Sequence, residues 1–298
     1  MATWLEITPD YRCNNRCVGC FSVKDDGPSM STQEAFAALA RARAGGAECL
    51  WLGGGEPTLR PDLLAIVRAA RRLGYSRVLL QTNGMRLAYP AYTRALADAG
   101  VTEVGFSLKG WRKETHDRLT RTPGCHDLLL RGIAEARAAG LSLEGDVLVY
   151  RSNLAELCDV VRGYHGLGLS RFRLWLLSVA ASGAEPRELA GEVPRISELV
   201  KEIVRARALG LSERRDFLTS LHTPPCTVPA SHRACLFHAA SFDLVVSNQG
   251  GDEFRLEQSP IEGGSYLERC QSCRLRAHCG GPRADYVALH GDAEFVPE

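Results

Sequence analysis

Three cysteines stand close together near the start of the chain. Cys13, Cys17 and Cys20 lie in the run YRCNNRCVGCF. Thiolates are the usual ligands of iron–sulfur clusters, and a [4Fe–4S] cluster usually takes four of them. Three thiols leave one iron without a protein ligand, and an open position is typical of catalytic rather than structural metal sites. The spacing alone also allows structural zinc with a fourth ligand from elsewhere.

A second group of cysteines lies near the C-terminus. Cys270, Cys273 and Cys279 fall within CQSCRLRAHC, and the chain has 11 cysteines in all. The N-terminus carries no basic region followed by an apolar one, so we expect a cytoplasmic protein without a signal peptide. In a reducing compartment, clustered cysteines bind metal or carry out redox chemistry rather than form disulfides. Structural zinc is again the simpler alternative.

Glycine and polar residues follow three of the predicted strands. GGGEPT follows the second strand, TNG follows the third and SLKG ends the fourth. Gly54 and Gly55 have no side chain, so a ligand can approach the backbone, and Glu56 offers a carboxylate to an ammonium group. Functional sites of such sheets lie at the carboxyl ends of the strands. We therefore expect these motifs to face the cysteine loop, which follows the first strand.

Strand patterns and helix patterns alternate at least six times in the first part of the chain. The first helix begins with a capping box of Ser31 and Glu34, and the helices end near glycines. This order predicts parallel βαβ units. Six units are too few for an eight-fold barrel, so an open sheet and an incomplete barrel both fit. The predicted strands are residues 3–8, 49–54, 76–81, 102–108, 141–150 and 171–177.

The pattern changes after the sixth strand. The stretch SVAASGAEPRELAGEVPR predicts a linker, and a helix is expected near residues 195–209. Residues 241–258 predict a hairpin with a Gly-Gly turn. We place a domain boundary after residue 215, which gives an α/β core of residues 1–215 and a small cysteine-rich domain of residues 216–298.

Taken together, the motifs resemble those of the radical S-adenosylmethionine (radical SAM) superfamily. The resemblance combines CxxxCxxC after the first strand, GGEPT after the second and TNG after the third, and it covers about residues 3–177. It implies a partial (β/α)6 barrel. It also implies that Cys13, Cys17 and Cys20 ligate a [4Fe–4S] cluster whose open iron binds the amine and carboxylate of S-adenosylmethionine (SAM). An electron from the reduced cluster then cleaves SAM to a 5′-deoxyadenosyl radical, which abstracts a hydrogen atom from the substrate.

The resemblance also assigns contacts to the cofactor. Lys109 stands where many relatives carry an acid, and it either pairs with the SAM carboxylate or is a solvated lysine. Gly19 stands where an aromatic residue usually packs on adenine, and Phe21 follows Cys20 instead. His116 and His126 flank a loop, where surface or capping roles are expected. The other expected cofactor contacts are Gly54, Gly55 and Glu56 to the amino group, and Thr82, Asn83, Ser107 and Asn153 to the ribose or carboxylate.

The C-terminal cysteines resemble part of the SPASM pattern, with Arg283 where its last cysteine would stand. This implies one auxiliary [4Fe–4S] cluster, as in the shorter twitch domain, bound by Cys270, Cys273 and Cys279. For the fourth ligand we choose Cys235, and Cys226 is the alternative. If Cys235 is the ligand, Cys226 is left as a thiol that could donate a hydrogen atom to the substrate radical.

The resemblance narrows the function to a class of reactions. Oxidation, epimerisation or cross-linking of a natural-product intermediate or a ribosomal peptide is expected, with an electron donor such as flavodoxin or ferredoxin. The first strand begins at residue 3, which leaves no room for a leader-binding domain and favours a small substrate over a peptide delivered by a separate protein. Two alternatives are an activase that installs a radical or formylglycine on a partner protein, and a non-catalytic iron–sulfur or zinc protein.

Net charge and the distribution of apolar residues give no sign of binding to nucleic acid or of insertion into a membrane. The formal net charge is +1, which gives no sign of nucleic-acid binding. No apolar run approaches the roughly 20 residues of a membrane helix.

Overall fold

The computed structural model describes residues 3–20, 29–180, 189–259 and 263–298. Phe21 lies outside these ranges. The described part contains one sheet of nine strands, in the order β7-β6-β5-β4-β3-β2-β1-β8-β9. All neighbouring strands are parallel except β8 and β9, which form an antiparallel hairpin. The strands are β1 (Trp4–Thr8), β2 (Cys49–Leu52), β3 (Arg77–Thr82), β4 (Glu103–Leu108), β5 (Ser142–Val149), β6 (Arg171–Leu176), β7 (Leu218–Ser220), β8 (Leu244–Asn248) and β9 (Glu253–Arg255).

Helices connect the strands in the order that the sequence predicts. The capping box is present, since the Glu34 N–H donates to Ser31 Oγ (3.2 Å) and the Ser31 N–H donates to Glu34 Oε2 (2.6 Å). The helices of the described residues are α1 (Thr32–Ala44), α2 (Leu63–Arg72), α3 (Pro90–Ala99), α4 (Lys113–Thr120), α5 (Cys125–Ala138), α6 (Leu157–Gly166), α7 (Ile196–Arg207) and α8 (Ala284–His290). None of them is long and apolar enough to cross a membrane. The strands of the six βαβ units and the hairpin are confirmed, whereas α4, β7 and α8 were not predicted.

The sheet curls into a partial barrel. Trp51 on β2 and Trp175 on β6 are separated by three strands in the sheet, yet their ring centroids lie 6.3 Å apart. Phe242, which precedes β8, stacks on Trp175 at a centroid distance of 6.2 Å. The inner face is therefore closed by aromatic contacts between distant strands, while α1 to α7 cover the outer face.

The contacts of the C-terminal segment with the barrel include a paired strand and a buried arginine. β8 pairs with β1 over its whole length, from Trp4 opposite Leu244 to Thr8 opposite Asn248. Arg283 is buried, and its guanidinium donates to the carbonyl oxygens of Leu176 (2.8 Å) and Leu177 (2.7 Å) at the end of β6. Arg283 is therefore an anchor between this segment and the barrel.

Candidate active site

The cysteine loop after β1 is held by hydrogen bonds to the backbone of α4 and to the side chain of Tyr150. The N–H groups of Arg16 and Val18 donate to the carbonyl oxygens of Thr120 (3.1 Å) and Leu119 (2.8 Å), at the C-terminal end of α4. The buried hydroxyl of Tyr150, just after β5, donates to the carbonyl oxygen of Val18 (2.8 Å). These bonds fix the path of the loop.

The three thiols of this loop, called here the first thiol group (Cys13, Cys17 and Cys20), share the edge of one cavity of about 330 Å³. Desolvation of the sulfur raises the pKa of Cys13 to about 12. Desolvation also raises the pKa of Cys17, and there the charges of Lys109 and Arg121 act in the opposite direction. In the described residues, no three Cys, His, Asp or Glu side chains are arranged to bind a single metal ion. The three thiols therefore line a cavity and do not converge on the position of a single metal ion.

The glycine turn after β2 packs directly against the backbone that leads into the cysteine loop. Gly54 has φ 98°, and a Cβ there would lie 2.7 Å from the Asp10 carbonyl oxygen. A Cβ at Gly55 would overlap the Arg12 carbonyl oxygen. The N–H groups of Gly55 and Glu56 donate to the same two carbonyls, of Asp10 (3.0 Å) and Arg12 (2.8 Å). These glycines line the cavity, but they are also required for contact between the two loops.

The Glu56 carboxylate joins the ends of β2 and β3. Its Oε1 accepts from the Thr58 N–H (3.1 Å), the Thr58 hydroxyl (2.6 Å) and the Thr82 hydroxyl (2.7 Å). Its Oε2 accepts from the Asn83 N–H (2.8 Å). Burial raises the pKa of Glu56, and these donors act in the opposite direction. Oε2 accepts one hydrogen bond from the described residues, whereas Oε1 accepts three, so Oε2 retains capacity for a further donor.

The end of β3 brings Asn83 to the cysteine loop. Asn83 Nδ2 donates to Asn14 Oδ1 (2.7 Å) and lies 3.9 Å from Cys13 Sγ. Thr82 also lines the cavity, although its hydroxyl is used by Glu56. The structure thus brings Thr82 and Asn83 of the TNG motif to the cavity, with Asn83 the one in contact with the first thiol group.

Lys109 supplies a buried positive charge to the cavity. Its Nζ donates to Ser107 Oγ (3.0 Å), and both side chains line the cavity. Lys109 is 7% exposed, so it is not the solvated lysine that the sequence also allowed. The backbone N–H of Lys109 points to Nδ1 of His116 (3.4 Å). His116 is buried and packs on His126 at a centroid distance of 5.3 Å, so the expected surface role for these histidines is wrong.

Asn153 does not reach the cavity, and its predicted cofactor contact is corrected. Its amide donates to the carbonyl oxygens of Lys109 (2.8 Å) and Leu148 (2.9 Å) and accepts from the Tyr150 N–H (2.8 Å). Both N–H groups of the Asn153 amide therefore donate to backbone carbonyl oxygens. Asn153 thus stabilises the end of β4, next to Lys109.

Gly19 faces an aliphatic wall. It has φ 67°, and a Cβ there would lie 2.5 Å from Leu177 Cδ1. Leu177 and Leu176, at the end of β6, both line the cavity beside Gly19 and Cys20. Aliphatic side chains therefore occupy the position next to the third cysteine, and the expectation for Phe21 lies outside the described residues.

The C-terminal cysteines converge with Cys226 rather than with Cys235. A small cavity of about 20 Å³ is lined by the four residues of the second thiol group, which are Cys226, Cys270, Cys273 and Cys279. Burial raises the pKa of Cys226 to about 11, and the other three thiols add to this rise. The Gly281 N–H donates to Cys279 Sγ (3.2 Å).

Our choice of Cys235 as the fourth ligand is therefore corrected. Cys235 is buried elsewhere, where its thiol donates to the His232 carbonyl oxygen (3.0 Å). Cys226 lines the small cavity and not the large one. Its predicted role as a hydrogen-atom donor to the substrate required a thiol that is not a ligand and lies near the active site, and Cys226 does not meet that requirement.

The sequence analysis did not predict the polar and aromatic residues that line the cavity inside the barrel. Trp51 donates its indole N–H to Gln81 Oε1 (3.2 Å), and Trp175 donates to Asp146 Oδ1 (3.0 Å). Arg173 Nε also donates to Asp146 Oδ1 (2.8 Å). The signal was present, because Arg173 and Trp175 alternate with apolar residues in β6, which places both on one face of the strand.

The profile of the radical SAM superfamily matches residues 7–162, which is 156 of the 298 residues. This chain belongs to the radical SAM superfamily. Enzymes of this superfamily use SAM and a [4Fe–4S] cluster. Streptococcus suis SuiB, whose fold is similar to that of this chain (TM-score 0.70), has been solved with bound SAM.

Three similar proteins show how far the likeness extends. An AdoMet-dependent heme synthase of Methanosarcina barkeri is 31% identical over 181 residues, or 60% of this chain and 51% of that protein. A probable GTP 3′,8-cyclase of Saccharolobus islandicus is 30% identical over 202 residues, or 67% of this chain and 65% of that protein. Streptococcus suis SuiB, solved with its precursor peptide SuiA, is 14% identical with a TM-score of 0.73, covering 100% of this chain and 75% of SuiB. The match spans less than two-thirds of either curated relative, and the likeness to SuiB concerns the fold.

The described residues fit the cofactors of the superfamily. The first thiol group supplies soft ligands around a cavity, and the thiols of Cys13 and Cys17, whose pKa values are raised by desolvation, need a nearby cation to ionise, which iron provides. The same cavity offers a cation at Lys109 and an acceptor at Glu56, which match the carboxylate and ammonium of an amino acid such as the methionine part of SAM.

Proposed function

We propose that this chain is a radical SAM enzyme that abstracts a hydrogen atom from a natural-product intermediate or a ribosomal peptide, leading to oxidation, epimerisation or cross-linking. The observation that carries the proposal is that the first thiol group, the Gly54–Glu56 turn and Lys109 line one cavity. When bound and reduced, the cluster and SAM together supply the radical that attacks the substrate.

The residues of the chain bind and orient the cofactor. The first thiol group holds the cluster, Lys109 pairs with the SAM carboxylate, and Glu56 Oε2 accepts from the SAM ammonium. Ser107 holds Lys109 Nζ in place through the 3.0 Å hydrogen bond. Glu56 and Lys109 are already held by hydrogen bonds in the described structure, so little ordering of these two side chains is required when the cofactor binds.

The substrate lies in the inner part of the cavity. Asp146, Gln81 and the two indoles of Trp51 and Trp175 provide polar and aromatic groups there. Leu244 and Val246 of β8 and Leu256 after β9 close the side of the cavity with apolar side chains. These side chains keep water from the substrate radical. SuiB was solved with a precursor peptide, which supports a peptide as one substrate class.

The second thiol group holds an auxiliary [4Fe–4S] cluster in this proposal. Cys226, Cys270, Cys273 and Cys279 supply the four thiolates that a closed cluster takes. Residues 216–298 form the twitch-like unit that carries it, docked on residues 1–215 by β8 and Arg283.

Anaerobic reconstitution with electron paramagnetic resonance (EPR) tests the proposal. We expect about eight irons per chain and, after reduction with dithionite, a signal that shifts when SAM is added, because SAM binds the open iron of one cluster. A spectrum that SAM leaves unchanged would overturn the role of the first thiol group. About four irons, with the SAM-dependent shift retained, would overturn only the auxiliary cluster.

A further inference from the structure

Asn15 has a buried side-chain oxygen that receives no hydrogen bond from the part of the chain that the structure describes. The residue is 7% exposed and lies in the cysteine loop, between Cys13 and Cys17. A polar atom that is buried without a partner lowers the stability of the folded chain, so such atoms are rare in native proteins. A ligand that donates to Asn15 Oδ1 would remove this cost.

Asn15 lines the large cavity at the edge that carries the first thiol group. Its backbone is held on both sides, since the Asn15 N–H donates to Cys13 Sγ (3.3 Å) and the Arg16 N–H donates to the Thr120 carbonyl oxygen (3.1 Å). The backbone therefore fixes where the side-chain amide lies. A molecule bound in the cavity is thus in a position to supply the donor for Oδ1.

The hydrogen-bond donors of SAM are few. The methionine part carries the ammonium, which the proposed function assigns to Glu56 Oε2. The nucleoside part carries the 6-amino group of adenine and the 2′- and 3′-hydroxyls of the ribose. These nucleoside groups are the donors of SAM that remain for Asn15 Oδ1.

Two polar side chains that the resemblance assigns to the ribose or carboxylate of SAM are used within the protein. The Thr82 hydroxyl donates to Glu56 Oε1 (2.7 Å), and the Asn153 amide donates to backbone carbonyl oxygens. Asn15 differs from both, because its oxygen is buried beside the cavity and has no donor among the described residues. Its acceptor is therefore available to a nucleoside.

We propose that Asn15 Oδ1 accepts a hydrogen bond from the nucleoside part of SAM and holds that part beside the first thiol group. The inference rests on the proposed function, because it names a further contact of the same cofactor. A hydrogen bond in a buried site is stronger than one in water, and this one also removes the cost of the unpartnered oxygen. Asn15 is therefore a cofactor-binding residue that lowers the stability of the chain without SAM and strengthens the binding of SAM.

Analogues of SAM that each lack one donor test the proposal. The first has hydrogen in place of the 6-amino group, and the other two are the 2′-deoxy and the 3′-deoxy analogues. Binding to the reconstituted holoenzyme is measured by calorimetry. For at least one analogue, the wild type is expected to bind SAM about tenfold more tightly. Asn15→Leu should bind SAM about tenfold more weakly than the wild type does, and it should lose this discrimination.

The stability of the same variants is a second readout. Leucine has the same number of side-chain heavy atoms as asparagine, with the same branching and no polar atom. The melting temperature of Asn15→Leu without SAM should therefore equal or exceed that of the wild type. Asn15→Ala removes the amide without adding apolar atoms and should also lose the discrimination. Gln33→Leu, at an exposed position of α1, is the matched control and should bind SAM and the analogues like the wild type.

Two results would overturn the inference and leave the proposed function intact. One is discrimination among SAM and the three analogues that is the same in the wild type, Asn15→Leu and Asn15→Ala. The other is a lower melting temperature of Asn15→Leu, which would show that the amide stabilises the protein itself. Absence of SAM binding to the wild type would overturn the proposed function together with this inference.

Discussion

Thr82 Oγ1 lies 2.7 Å from Glu56 Oε1, so a buried hydrogen bond joins the end of β3 to the glycine turn after β2. Thr82 in turn accepts from the Gly84 N–H (3.1 Å). The two motifs that the sequence presents as separate cofactor contacts are therefore one hydrogen-bonded unit. Their polar groups form hydrogen bonds with each other, so this part of the cavity is already ordered before a cofactor binds.

Glu56→Gln tests this unit. The amide nitrogen of glutamine cannot accept from the donors that the carboxylate serves, so at least one of them is left buried without a partner. We expect the free energy of unfolding to fall by about 2 kcal/mol, measured by denaturant titration. Thr82→Ser keeps the hydroxyl and serves as the control. Equal stability of wild type and Glu56→Gln would contradict this role.

Lys109→Met removes the buried cation from the cavity. Loss of a charge-assisted hydrogen bond is expected to weaken SAM binding by about tenfold, measured by calorimetry on the reconstituted protein. Lys109→Arg should retain much of the affinity, because it keeps the charge. Lys201→Met, at an exposed position of α7, controls for the loss of a lysine. An unchanged affinity in Lys109→Met would show that the carboxylate binds elsewhere.

Arg283→Ala tests the anchor of the C-terminal segment. The change leaves the buried carbonyls of Leu176 and Leu177 without their donor and Asp285 without its cation (3.0 Å). We expect a loss of about 3 kcal/mol in the free energy of unfolding and earlier proteolytic cleavage after residue 215. Arg274→Ala, at an exposed position, should have little effect. Similar proteolysis of the two variants would argue against the anchor.

Cys226→Ala and Cys235→Ala distinguish the two candidates for the fourth auxiliary ligand. Only Cys226 lines the small cavity with the other three thiols. Iron analysis after reconstitution should give about four irons for Cys226→Ala and about eight for Cys235→Ala. The reverse result would restore Cys235 as the ligand and refute the second thiol group as defined here.

The buried His116 predicts a pH effect on stability. Burial, followed by the charges of His126 and Lys109, lowers the pKa of His116 from 6.5 to about 3. Between these values the unfolded chain binds a proton that the folded chain does not, so stability falls as the pH falls below about 6.5. Lowering the pH from 7.5 to 5.5 should cost about 1 kcal/mol more in the wild type than in His116→Gln, by urea titration. Parallel pH profiles would show that His116 does not contribute.

The six main strands could be predicted because each is a short buried run between a helix and a strand-end motif. α4 could not, since KETHDRLT has a single large apolar residue, Leu119, and no helical period. It is held by tertiary bonds instead, as when Asp117 accepts from the N–H groups of Gly124 (2.7 Å) and His126 (2.9 Å) at the start of α5. β7 is three residues long and exists through its pairing with β6.

Site residues on loops were predicted less well than those at strand ends. Thr82 and Lys109 line the cavity, as expected, because a strand fixes where the residues at its end lie. Asn153, Cys226 and Cys235 follow irregular backbone, where the spacing in sequence does not determine the direction of a side chain. The ligand set of the second thiol group therefore required the structure.

Cleavage of SAM is the most direct test of the central claim, that the first thiol group and its cavity bind SAM for radical chemistry. Reconstituted protein is reduced with dithionite, and 5′-deoxyadenosine is measured by chromatography. We expect product from the wild type and from Cys235→Ala, and none from Cys17→Ala. Absence of product from the wild type with every reductant tried, or equal product from Cys17→Ala, would contradict the account.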